Sequence, residues 1–210
     1  MRLRNIKNAD EIIKSSKHIV LEPTKYKGLW HNLFNNNNLI YTEIGMGRGK
    51  FIVENAMKYP NINFIGIEKF SSVMARAIQR MGDIDLPNLK LICLDALNIT
   101  EVFDHEIDLI YLNFSDPWPK ERHARRRLTS DIFLDLYPNI LKGDIKIIQK
   151  TDNVKLFNYS VEQYNNHNYI INITQFDINN IPEDNIMTEY ETRFINNNNI
   201  IYKIEVLGKK

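Results

Sequence analysis

Between residues 39 and 149 the chain alternates five short apolar runs with longer segments, several of them helical in pattern, and this alternation constrains the fold more than any other feature. The runs are Leu39 to Ile44, Asn63 to Ile67, Leu89 to Leu94, Ile107 to Phe114 and Ile145 to Gln149. Each is short and rich in Ile, Leu or aromatics, as strands buried on both faces of a parallel sheet are. Helical spacing places Ile52, Ala56 and Tyr59 within Phe51 to Tyr59, and Met74, Ala77, Ile78 and Met81 within Ser71 to Met81. The same spacing recurs over Asp131 to Leu141 (Ile132, Leu136, Ile140) and Val154 to Tyr164 (Phe157, Val161, Tyr164). Such alternation builds right-handed βαβ units and predicts a single-domain, doubly wound α/β sheet.

The end of the chain breaks the pattern. Tyr169 to Phe176 and Ile200 to Val206 are β-like with no long helical pattern between them. They predict a final antiparallel pair at one edge of a mostly parallel sheet. The asparagine runs Asn35 to Asn38 and Asn196 to Asn199 read as loops. One domain is expected over residues 39–210, preceded by an N-terminal extension, 1–38, ordered only in part.

Composition narrows the class. A length of 210 residues suits one domain with a sizeable core. The single cysteine, Cys93, excludes an internal disulfide framework, and no Cys/His cluster suggests zinc, so no metal is expected. No apolar run approaches the roughly 20 residues of a membrane span, and no signal core follows the basic N-terminus. A soluble, cytoplasmic protein is expected, with monomer or homodimer left open. Net charge is only +1, but Lys120 to Arg127 reads KERHARRR, and Arg2, Arg4, Lys7, Lys14, Lys17, Lys25 and Lys27 add charge near the start. Such patches either bind a polyanion locally or form a solvated basic loop.

Chemistry gathers where the apolar runs end. After the first comes Glu43-Ile44-Gly45-Met46-Gly47-Arg48-Gly49, a G-x-G-x-G loop followed by Lys50. Gly45, Gly47 and Gly49 let the backbone turn sharply and approach a ligand, although alone they describe only a tight turn. The second run ends at Glu68, where a carboxylate can accept both ribose hydroxyls of a nucleoside; the third ends at Asp95, placed to face an adenine edge. In open α/β sheets ligands lie at the strand C-termini. No G-x-x-x-x-G-K-[ST] occurs, which argues against nucleotide hydrolysis. A ligand with ribose hydroxyls and adenine but no pyrophosphate fits, making S-adenosyl-L-methionine the candidate cofactor. NAD is the alternative, disfavoured by the glycine spacing.

The fourth run enters Asn113-Phe114-Ser115-Asp116-Pro117-Trp118-Pro119-Lys120. Two prolines around a tryptophan stiffen this turn. Asx-Pro-Pro-aromatic turns at this position typify amino-methyltransferases, whose main-chain carbonyls bind a target NH2. Here an acid, a Trp and one Pro on each side replace that motif. Its other reading is a rigid surface turn.

NFSDPWPK at 113–120 and RHARRRL at 122–128 resemble the bacterial tRNA (guanine-N7-)-methyltransferase family. EIGMGRGKF at 43–51, IGIEKF at 65–70, KTD at 150–152 and TEYETRF at 188–194 follow in family order. The resemblance implies a Rossmann-like methyltransferase fold, S-adenosyl-L-methionine as donor and a guanosine in the tRNA variable loop as target. It implies a cofactor set of Glu43, Gly45, Gly47, Gly49, Glu68, Asp95 and Asp116, with Asp116 also catalytic. Lys120, Asp152, Thr188 and Glu191 would form the substrate side, and Arg122, His123, Arg125, Arg126 and Arg127 would contact RNA.

Guanine N7 carries a lone pair and no proton at neutral pH, so alignment rather than a general base is the requirement. Asp116 would orient the base and stabilise the charge it gains. Asp152 either holds the guanine edge or caps the helix starting near Val154. Trp118 stacks on a base or fills its turn. Rival readings are a methyltransferase of another RNA or non-RNA substrate, a noncatalytic RNA-binding module, and a dehydrogenase.

Overall fold

The computed structural model describes residues 6–195 and 199–210. Arg2 and Arg4, and Asn196 to Asn198 of the second asparagine run, lie outside the described residues. Among the described residues, seven strands form one sheet: β1 Ile40–Ile44, β2 Asn63–Glu68, β3 Leu89–Cys93, β4 Leu109–Asn113, β5 Ile145–Thr151, β6 Ile170–Phe176 and β7 Ile201–Gly208. Seven α-helices accompany them: α1 Ala9–Ser15, α2 Trp30–Phe34, α3 Lys50–Lys58, α4 Ser71–Met81, α5 Asp131–Ile140, α6 Val154–Asn166 and α7 Glu189–Ile195.

The strand order is β3-β2-β1-β4-β5-β7-β6. β1 pairs parallel with both β2 and β4, so the chain steps outward to β3, returns, and leaves a switch point between β1 and β4. A doubly wound sheet opens its ligand crevice at the carboxyl ends of such strands. Every residue of β2 is buried, which is why Phe64 to Ile67 read as a continuous run rather than an alternating one. The final pair sits at one edge as expected. The C-terminal strand β7 is the reversed one, antiparallel to β5 on one side and β6 on the other, so β6 forms the rim.

Of the N-terminal extension expected over residues 1–38, residues 6–38 are described, and several of their side chains pack against the sheet domain. α1 packs Ala9 and Ile13 into a cluster with Met74 and Ala75 of α4. The chain then lies along β3, with Val20 N–H donating to Leu91 O (3.0 Å) and Leu91 N–H to His18 O (2.8 Å). Trp30 is 0% exposed, and its indole N–H donates to Val102 O at 3.0 Å. Glu106 accepts from the N–H groups of both Gly28 and Trp30. Ala9, Ile13, Val20, Trp30 and Phe34 of this segment are therefore buried in the core. Asn35 ends α2 in the left-handed conformation (φ 56°), and the Asn36 amide donates to Asn63 at the start of β2. The first asparagine run is thus a helix stop and a strand entry.

Candidate active site

The glycine loop connects β1 to α3 at the switch point. Gly45, Gly47 and Gly49 all have positive φ (79°, 58° and 76°), which an L side chain adopts only with strain. At Gly47 a Cβ would meet nothing within 4 Å, so the loop surface stays open for a ligand, whereas at Gly49 it would lie 3.4 Å from Ala77, where α3 and α4 approach. The Gly47 N–H donates to Glu68 Oε2 (3.1 Å) and the Phe70 N–H to Oε1 (2.9 Å), so Glu68 ties the loop to the entry of α4. Burial raises the Glu68 carboxyl above its ordinary value against these N–H groups, and the charge of Asp116 adds to the rise.

Glu43, one residue before the end of β1, is 2% exposed. Oε1 accepts from Asn113 Nδ2 at 2.9 Å, while Oε2 and Asn113 Oδ1 have no hydrogen-bond partner. Burial pushes its carboxyl up to about 8, opposed by Asn113 and by the Lys150 charge. Two unsatisfied buried acceptors beside an open glycine loop suit a ligand carrying positive charge or N–H donors. Asp95 follows β3, accepting from the Leu97 N–H (3.2 Å) and from Lys69 Nζ (2.5 Å). Burial pushes its carboxyl up, but these donors outweigh burial and hold it below its ordinary value. The acidic strand ends and open glycine backbone fit S-adenosyl-L-methionine, which offers a ribose, an adenine amine and a cationic methionine end.

α7 closes the other side of the crevice. Thr188 and Glu191 form a capping box: Glu191 N–H donates to Thr188 Oγ1 (2.9 Å) and Thr188 N–H to Glu191 Oε2 (3.2 Å). The Lys150–Glu191 pair, with side chains 4% and 0% exposed, anchors this helix end to β5 at 3.2 Å. Lys150 also donates to Asn185 Oδ1 and Ile186 O, and Asn185 Nδ2 donates to Glu191 Oε1. Burial lowers the Lys150 ammonium below its ordinary value, against the pull of Glu191. Tyr190, Phe194 and Phe114 stack in series, and Glu189 pairs with Arg48 and Arg80. Thr188, Glu43, Gly45, Gly47 and Asn113 thereby line one narrow cleft.

Sequence-predicted residues separate on inspection. Glu191, expected on the substrate side, is occupied by Lys150, Asn185 and the Thr188 N–H. T-x-x-E is itself a helix-start signal, and the substrate role of Glu191 rests on the family resemblance alone. The alternative of Asp152 as a helix cap is overturned: Asn153 Oδ1 accepts the Leu156 N–H at 2.9 Å. Asp152 is half-buried, with its carboxyl raised by burial. Asp116 and Lys120 are exposed on the turn after β4.

The 3₁₀ segment Glu121–Arg126 carries the basic row. Arg122, Arg125 and Arg126 are exposed and form no salt bridge among the described residues. Arg126 stacks 4.9 Å from the Trp118 ring, with His123 edge-on to it at 5.9 Å. Arg127 departs from its expected RNA contact: it is 8% exposed, and it donates inward to Pro117 O (2.9 Å) and Trp118 O (3.0 Å). Asn113 and Lys150, which contact Glu43 and Glu191, were not singled out by sequence reasoning, since neither carries a recognisable motif of its own.

Among the described residues, no group of three or more His, Cys, Asp or Glu could hold a metal ion, and no helix is long and apolar enough to cross a membrane. A family model described as a putative methyltransferase matches residues 37–204. A tRNA (guanine-N(7)-)-methyltransferase of Lachnoclostridium phytofermentans is 47% identical over 213 residues, covering 100% of both chains. Its namesake in Bacillus licheniformis is 42% identical, covering 98% of each. Among solved structures, a 16S rRNA methyltransferase superposes with TM-score 0.63 at 11% identity, covering 86% of this chain and 93% of that one. An antibiotic-related methyltransferase gives 0.62 at 14% identity, covering 87% and 94%. Those two likenesses concern the fold, whereas the full-length relatives settle membership: the chain belongs to the tRNA (guanine-N7-)-methyltransferase family.

Proposed function

We propose that this chain transfers the methyl group of S-adenosyl-L-methionine to N7 of a guanosine in tRNA, in the variable loop, and that it works in the cytoplasm. One observation carries the reading: the glycine loop and Glu43 share a cleft with Asn113 and Phe114, at the head of the turn that carries the exposed Asp116 and runs on into the exposed arginines Arg122, Arg125 and Arg126. A site for a small-molecule substrate has no use for that row. The full-length relatives carry the same activity in their names.

The bound cofactor supplies an electrophilic methyl on a sulfonium. The chain's residues do the rest. The open glycine loop with Glu43, Glu68 and Asp95 holds the donor. Asp116 orients the guanine through its N–H edge and stabilises the positive charge that the base gains, without taking a proton. Asp152, Lys120 and Thr188 lie on the substrate side, with Glu191 acting through Thr188. Arg122, Arg125, Arg126 and His123 grip phosphates, which gives affinity and salt dependence but little sequence information.

The test is incubation with methyl-labelled S-adenosyl-L-methionine and an unmodified tRNA transcript, followed by chemical cleavage at 7-methylguanosine. One cut in the variable loop is expected. Label in RNA without that cut overturns the N7 assignment, and no label overturns the substrate.

A further inference from the structure

Arg127 looks in sequence like the last of four RNA-gripping arginines, but its surroundings are different. It is 8% exposed where Arg122, Arg125 and Arg126 are open. Its Nε donates to Pro117 O at 2.9 Å and its Nη2 to Trp118 O at 3.0 Å. Its guanidinium lies 4.2 Å from the centre of the Tyr159 ring on α6. The turn it holds is strained, with φ of 50° at Phe114 and 41° at Trp118, conformations bulky residues rarely adopt unless their surroundings enforce them.

The two carbonyls bound are informative. In a turn that methylates amines, a main-chain carbonyl following the acidic or amide residue accepts a hydrogen from the target NH2. Here the carbonyls of Pro117 and Trp118 are both taken by a charged, forked donor. Guanine N7 bears no hydrogen and has no need of such a grip.

We propose that Arg127 is the positioning residue of the methyl-transfer turn: by occupying the Pro117 and Trp118 carbonyls it withholds an amine-binding grip and fixes Asp116 as the acceptor presented to the base. This rests on the N7 reading above. Lysine cannot substitute, because a single ammonium lacks the planar fork that reaches two carbonyls at once.

The experiment compares full-length wild type, Arg127→Lys, Arg127→Gln and Arg126→Ala. Each is measured for thermal unfolding, S-adenosyl-L-methionine affinity, single-turnover rate on a tRNA transcript, and the salt dependence of tRNA binding. Both Arg127 variants are expected to unfold cooperatively and bind the cofactor as wild type does. Their single-turnover rate falls roughly 10- to 100-fold, the scale of a misplaced catalytic geometry. Their log–log salt slope stays that of wild type, while Arg126→Ala lowers it by about 1, as loss of a phosphate contact does. A lowered slope in the Arg127 variants, a wild-type rate, or loss of cooperative unfolding in both overturns the proposal. A wild-type protein that fails to methylate N7 overturns the underlying reading instead.

Discussion

Replacing Lys150 with methionine removes the cation that joins the end of β5 to the start of α7. Its ammonium donates to Asn185 Oδ1, Ile186 O and Glu191 Oε2, so all three of its protons are used. Glu191 is 0% exposed and keeps only the Asn185 amide and the Thr188 N–H when the lysine is gone. Stranding one member of a buried pair costs about 3–5 kcal/mol. For a domain of this size each kcal/mol moves the melting temperature by roughly 2–4 °C, which gives a fall of about 6–20 °C. Calorimetry or far-UV circular dichroism at pH 7 reads this directly. Adding Glu191→Met to Lys150→Met should recover part of the loss, because two apolar groups of similar volume leave no buried charge unpaired. A single variant that loses less than about 1 kcal/mol, or a double variant worse than the sum of its parts, refutes the anchoring role.

Other substitutions probe the remaining parts. Burial holds the Glu43 carboxyl at about 8 in the fold against its ordinary 4.5. Between those values the unfolded chain has released the proton and the folded chain has not, so stability falls as pH rises. Glu43→Gln should therefore gain on wild type by up to about 1.4 kcal/mol per pH unit from pH 5 to 8, read by urea unfolding; a difference constant with pH contradicts this. Asp116→Ala should abolish turnover while melting like wild type, since the residue is exposed; full activity in the folded variant excludes its role. Reversing charge at Arg125 and Arg126 should weaken tRNA binding and leave cofactor binding nearly unchanged, as filter binding and calorimetry would show; equal loss of both points to damage of the fold.

The parallel sheet was legible because its strands are buried on both faces and therefore read as short apolar runs, as β2 does from Phe64 to Ile67. The site's acidic strand ends followed from that reading. Less legible were contacts that depend on single residues rather than periodicity. α1 and α2 span 7 and 5 residues, too short for a clear helical pattern. α1 is held by Ala9 and Ile13 against α4, and α2 by Trp30, whose partners Val102 and Glu106 lie more than seventy residues away. α7 was missed for the same reason of length, although T-x-x-E at Thr188 to Glu191 announced its start. Arg127 is indistinguishable from its neighbours in sequence. Only its tertiary partners, the Pro117 and Trp118 carbonyls and the Tyr159 ring of α6, turn that one arginine inward.

The central claim is that the base nitrogen N7 attacks the donated methyl in a site that aligns rather than deprotonates. A tRNA transcript made with 7-deazaguanosine keeps the Watson–Crick edge of every guanine and replaces N7 with a carbon. Such RNA should bind with near-normal affinity and accept no labelled methyl, while the ordinary transcript accepts one. Label transferred to the deaza transcript would contradict the account.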